Sequence, residues 1–179
     1  MSDLEDLEQV VATEAWGEWG LPVRVRVDHS PLRVFAKAVR CDAAVVHSDR
    51  AAGAAGFAAP PATPTFTFAM THGGADPDLQ PPAGTGSLWS TDATGNDGAA
   101  AFTARKGLFL HGEQHFRYHR TPVVGDVLEG RMRTSAPTTR HSRRGPMEVT
   151  YFQTRWSDTA TGAAVVDELI VSLFLPDPA

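Results

Sequence analysis

Apolar residues recur along this chain with two periods, and the switch between them divides it. From residue 3 to 16, Leu4, Leu7, Val10 and Val11 follow one another at three- and four-residue spacing, which predicts an amphipathic N-terminal helix. Gly17, Gly20 and Pro22 stop it. Val23, Val25 and Val27 then alternate with Arg24, Arg26 and Asp28, the two-residue period of a half-exposed strand. Ser30 and Pro31 read as the N-cap and first position of a short helix that carries Leu32, Val34, Phe35 and Val39. A second short, alanine-rich helix is expected from about Ser48 to Ala55, ending at Gly56.

Prolines punctuate Pro60 to Phe68, and a Gly-, Pro- and Ser-rich stretch follows, with few large apolar residues besides Leu79, Leu88 and Trp89. So long a segment without periodicity is expected to be an insertion, over 73–106, within one domain spanning 1–179. Beyond Gly107 the period becomes that of strands: Leu108–Arg120, Val127–Ala136, Met147–Asp158 and Ala164–Leu175, with turns at Pro122–Gly125, Pro137–Gly145 and Asp158–Gly162. Four consecutive strands joined by hairpin-length connections form an antiparallel meander, and the order of elements predicts an α+β fold.

Composition narrows the function classes. A chain of 179 residues, 42% hydrophobic, is long enough to bury a core of its own. Cys41 is the only cysteine, so no internal disulfide supports the fold and a reducing cytoplasm is the expected setting. No apolar run reaches the length of a membrane span, and the acidic start MSDLEDLEQVV is the opposite of a basic leader. The net charge of −5 argues against a general nucleic-acid binder. One basic cluster, containing Arg131, Arg133, Arg140, Arg143 and Arg144, reads as a solvated hairpin tip. Its functional reading is a dock for phosphates or for an acidic protein, with Arg143 and Arg144 as the substrate-binding candidates.

The chemistry-bearing stretch is Cys41-Asp42-Ala43-Ala44-Val45-Val46-His47. It resembles the Gly-Asp-x-Asn-Pro-hydrophobic-His signature of the (R)-specific hydratases in the MaoC-like dehydratase family, of the N-terminal type. The acid and the imidazole keep their spacing, while Cys41, Ala44 and Val45 replace the glycine, asparagine and proline. Ala59-Pro60-Pro61 with Pro64-Thr65-Phe66 is similar to the family's Ala-Pro-Pro-Thr-Phe stretch. His111-Gly112-Glu113-Gln114-His115-Phe116-Arg117-Tyr118-His119-Arg120, followed by Gly125-Asp126, is similar to its strand and turn.

The resemblance implies a single hotdog fold, an antiparallel sheet wrapped around a central helix, and addition of water to 2-enoyl thioesters or its reversal. Asp42 and His47 are then the catalytic candidates, gripping one water so that a proton is taken from it and a proton is delivered to C2. Charge building on the thioester oxygen calls for N–H donors at the start of the central helix, among Thr65, Phe66 and Thr67. Trp89 is a candidate cover for the acyl chain. No cofactor or metal is implied; coenzyme A or an acyl carrier protein arrives with the substrate. The implied partner is a second hotdog chain, in a homodimer or a heterodimer. A non-catalytic acyl-binding subunit and a hotdog acyl-CoA thioesterase are the competing functions. In a regular strand, His111, Glu113, His115, Arg117 and His119 share one face. That set is expected to border a partner or the thioester pocket, because its spacing suits no tight metal site.

Overall fold

The computed structural model describes residues 3–72, 78, 105–143 and 145–177. The expected insertion, apart from Asp78, Arg105 and Lys106, lies outside them, as do Trp89 and Arg144.

The order of elements is α1 (Asp3–Thr13), β1 (Val23–Arg26), α2 (His29–Ala38), α3 (Ala44–His47), α4 (Asp49–Ala54), α5 (Phe66–His72), β2 (Gly107–Tyr118), β3 (Val127–Thr134), β4 (Thr138–Ser142), β5 (Gly145–Asp158) and β6 (Ala164–Pro176). One sheet runs β1-β3-β5-β6-β2, every pair antiparallel, with β4 paired to β5 to the side of this path. Helices α2 and α5 pack on its inner face, Phe35 meeting Phe66 edge-on at 5.6 Å. This is the α+β hotdog arrangement that the resemblance implies.

Alternation decides which side chains enter the core. Val23 and Val25 of β1 with Val27 just after it, Leu128 and Met132 of β3, Phe152 and Trp156 of β5, and Val166 and Ile170 of β6 form one buried cluster with Leu32, Ala36, Val46, Phe66 and Met70. Their alternates on β5 and β6, Val149, Tyr151 and Leu169, face the other way and collect Val10 of α1 and Trp16. Gly130 is required where it stands: a Cβ there would lie 2.6 Å from the ring of Trp156, which is 1% exposed.

Four expectations need correction. α2 begins at His29 with Asp28 at its N-cap, so Pro31 sits inside the first turn rather than at its first position. The stretch read as a turn at 137–145 contains strand β4. The basic cluster is not a hairpin tip throughout: Arg131 and Arg133 lie on β3, where the Arg133 guanidinium stacks over Trp16 at 4.6 Å and Trp19 at 4.7 Å. Trp16 and Trp19 reach it because Gly17 and Gly20 donate to the Thr134 and Met132 carbonyls of the same strand, at 2.9 and 2.8 Å.

The fourth correction concerns β2. Its register against β6 slips between His111 and Glu113, and that bulge at Gly112 splits the expected histidine face. His111 turns inward, where its ring meets Phe68 edge-on at 5.7 Å, and joins the side of Gln114, Phe116 and Tyr118. Glu113, His115, Arg117 and His119 remain outward, His115 with Glu113 at 3.1 Å and His119 with Asp167 at 2.9 Å. Among the described residues no group of three potential metal ligands converges, and no helix is long and apolar enough to cross a membrane.

Candidate functional site

The loop that carries Asp42 and His47 is shaped by backbone geometry. Helix α2 ends with Arg40 in the left-handed region, φ 56°. The Arg40 N–H donates to the Lys37 carbonyl at 3.1 Å and the Cys41 N–H to the Ala36 carbonyl at 2.8 Å, the paired closure that ends a helix and redirects the chain. α3 follows after Ala43, with Val46 buried in the core as its anchor. Ser48 then caps α4, its hydroxyl accepting from the Ala51 N–H at 3.3 Å.

Two further bonds lock the loop. The Arg33 guanidinium donates to the His47 carbonyl at 2.9 Å. The His47 ring nitrogen Nε2 lies 2.8 Å from the Cys41 carbonyl. A carbonyl only accepts, so Nε2 carries the proton and Nδ1 of the neutral ring holds the free lone pair, ready to act as a base. Asp42 is exposed, and among the described residues its carboxylate has no hydrogen bond or ion pair. The loop thus presents an acid without a partner and an imidazole of fixed tautomer. Ala44 and Val45, where the family signature has asparagine and proline, form the first turn of α3.

The start of α5 is held from the opposite direction. Residues 60–62 run antiparallel to the turn after β2: Ala62 donates to the Pro122 carbonyl at 2.8 Å and Val124 to the Pro60 carbonyl at 3.0 Å. That turn is clamped by Arg120, which reaches Asp126 and Asp158 at 2.6 Å each. Of the three expected donors, the Thr65 N–H is taken by the Tyr118 hydroxyl at 3.0 Å and the Phe66 N–H by the Thr63 carbonyl at 3.1 Å. The Thr67 N–H is left without a partner among the described residues. Arg143 sits exposed at the β4–β5 turn. Two cavities, about 460 and 430 Å³, open on the outer face, and neither is lined by Asp42 or His47.

Sequence reasoning missed a polar group inside the sheet. Glu168 lies between Val166 and Ile170 on the inner face of β6, 2% exposed, opposite Thr154 of β5 and Phe116 of β2. The Gln114 amide donates to its carboxyl. Burial pushes that carboxyl up to about 7, with Gln114 and, more weakly, Trp156 acting in the other direction. The Trp156 indole is close enough to matter yet short of hydrogen-bond geometry. Burial likewise raises the Tyr118 phenol. The missed signal was an acid at an inward position of an otherwise apolar strand, AVVDELIVSLFLP.

Comparison with known proteins agrees with this architecture. The family model described as FAS1-like, dehydratase domain region, matches residues 14–168. The HadBC (3R)-hydroxyacyl-ACP dehydratase complex of Mycobacterium tuberculosis superposes with a TM-score of 0.63 at 18% identity, covering 90% of this chain and 98% of that one. The (R)-hydratase of A. caviae involved in PHA biosynthesis gives 0.56 at 14% identity, covering 89% and 96%. The ChsH1–ChsH2 complex of M. tuberculosis gives 0.58 at 16%, covering 96% and 97%. No curated protein matches the sequence.

Proposed function

Because this chain belongs to the family of the FAS1-like dehydratase domain region, we propose that it adds water to 2-enoyl thioesters, giving (R)-3-hydroxyacyl thioesters, or catalyses the reverse. The observation that carries the reading is His47, whose Nε2–H is committed to the Cys41 carbonyl at 2.8 Å. That leaves Nδ1 to take a proton, on the same loop as an Asp42 carboxylate that has no partner among the described residues. In hydration the water oxygen bonds to C3 as His47 Nδ1 takes one of its protons, and the imidazolium so formed gives that proton to C2, so that one water is added in sum. Asp42 orients the water and His47 Nδ1 takes its proton; an arrangement of this kind contributes about 10²- to 10⁴-fold.

As the C2–C3 double bond is attacked, negative charge grows on the thioester oxygen. The Thr67 N–H is the donor we assign to it, since those of Thr65 and Phe66 are already taken. Arg143 with Arg144 would meet the phosphates of coenzyme A or an acidic carrier protein, and Trp89 would cover the acyl chain. No organic cofactor enters the reaction beyond the carrier of the thioester. With Cys41 free, the cytoplasm is the proposed setting.

We further propose a second hotdog chain as partner. Strand β2 is an edge of the sheet, twelve residues long. Leu108 and Leu110 on it are 50% and 41% exposed. An edge strand with exposed leucines, unpaired on its outer side among the described residues, calls for another strand, supplied either by a second copy or by a different MaoC-like chain. The second case supports the alternative reading, a non-catalytic acyl-binding subunit. It is favoured by the heteromeric complexes among the similar structures.

The test is loss of enoyl absorbance with crotonyl-CoA and a longer 2-enoyl-CoA, with free thiol followed in parallel. Loss of absorbance without thiol release is expected. Thiol release alone would indicate a thioesterase, and neither signal from folded protein would favour the subunit reading.

A further inference from the structure

Thr65 is the most unusual backbone position near the start of α5. It is β-branched, yet its φ is 68°, a conformation disfavoured for such a side chain. Its N–H donates to the Tyr118 hydroxyl at 3.0 Å, and its carbonyl accepts from the Phe68 and Ala69 N–H groups at 3.1 and 3.4 Å. Among the described residues, the one side chain that hydrogen-bonds its backbone comes from the sheet.

The Tyr118 phenol, having accepted from Thr65, still has its own proton to give. On that side lie the Thr67 hydroxyl and, farther into the sheet, the Glu168 carboxyl, both close enough to influence the phenol. Glu168 and Thr67 are 2% and 1% exposed. The groups around Glu168 are Gln114, Phe116 and Tyr118 from β2 and Thr154 and Trp156 from β5. Only Tyr118 among them titrates, and none carries a charge at neutral pH. An acid buried there costs stability that an apolar residue would not, so packing alone does not account for it.

We propose that Tyr118 is a positioning residue for the reaction, and that Glu168 with Gln114 forms the buried prop behind it. Together they hold the strained first turn of α5 so that the Thr67 N–H points at the thioester oxygen. This deepens the function proposed above and rests on it. Neither residue touches the reacting atoms; they act through Thr65 and Thr67. Ionisation of Glu168 puts an uncompensated charge in the buried layer behind the Tyr118 phenol and loosens the turn.

The test uses full-length wild type, Tyr118→Phe and Glu168→Gln. Hydrogen exchange over residues 63–70, read by mass spectrometry, reports on the turn independently of activity. Loss of one hydrogen bond is worth about a five- to tenfold change. Tyr118→Phe is therefore expected to speed exchange over 63–70 by that factor while leaving β5 unchanged. It should lower kcat on crotonyl-CoA by a similar factor, with KM within twofold. Glu168→Gln should abolish the extra acceleration of exchange that wild type shows between pH 6 and 8. Equal exchange in Tyr118→Phe and wild type overturns the prop, whatever the activity. Faster exchange with unchanged kcat overturns the positioning role. Faster exchange in a protein whose wild type hydrates nothing overturns the proposed reaction, and the positioning role with it.

Discussion

The loop from Cys41 to His47 and the first turn of α5 are the two halves of the proposed site, and they are built on opposite principles. The loop is exposed at Asp42 and takes its shape from local backbone bonds: the closure of α2 at Arg40 and Cys41 and the ring of His47 on the Cys41 carbonyl. The turn is buried at Phe66 and Thr67 and takes its shape from Tyr118, 53 residues away in sequence. The difference explains why the loop tolerates Ala44 and Val45 in place of asparagine and proline. Its geometry rests on backbone bonds, the His47 ring, the Arg33 bond to the His47 carbonyl and the buried Val46, none of which needs an asparagine or a proline.

The largest effect that separates the two halves is Asp42→Asn. It removes a charge but leaves every bond that shapes the loop, so kcat for hydration should fall about 10²- to 10⁴-fold with an unchanged melting temperature. A protein that melts earlier would mean that Asp42 belongs to the fold and not to the chemistry.

Glu168→Gln probes the other half through pH. Its carboxyl sits near 4.5 in the unfolded chain and near 7 in the fold. Between these values the folded protein holds a proton that the unfolded chain has lost, so stability falls as pH rises from 4.5 to 7 and then levels off. Substitution removes that penalty. Chemical denaturation should show the variant about 2–3 kcal/mol more stable at pH 8 and equal to wild type near pH 4.

Gly130→Ala strikes the sheet beneath the core. Its Cβ would meet the Trp156 ring at 2.6 Å, so the variant should lose about 1–3 kcal/mol in denaturant unfolding. The loop should be insensitive to it, with kcat retained below the melting temperature. The smallest effect is Arg40→Gly. At φ 56° glycine relieves the left-handed strain, and the exposed helix end should gain about 0.5–1 kcal/mol with activity unchanged.

The same contrast governs what the sequence revealed. Strands β2, β3, β5 and β6 were legible because alternation of apolar and polar residues is a local property, and the Asp42–His47 spacing was legible for the same reason. The Gly112 bulge was not: a one-residue slip depends on how β2 meets β6, and it moved His111 away from His115. β4 was hidden because TTRHS has no apolar alternate to betray a strand. The Tyr118–Thr65 bond joins two segments with no common pattern, so only the assembled sheet brings it into view. Glu168 left a trace in sequence, as an acid at an inward position of an apolar strand, but its partner Gln114 did not.

The central claim is that Asp42 and His47 act on one water as a unit. The most direct measurement is kcat for 2-enoyl-CoA hydration in Asp42→Asn, His47→Ala and the double variant. The account predicts that the double variant is no slower than the slower single one, because either loss disables the same step. Losses that multiply, or a single variant with wild-type kcat, would contradict it.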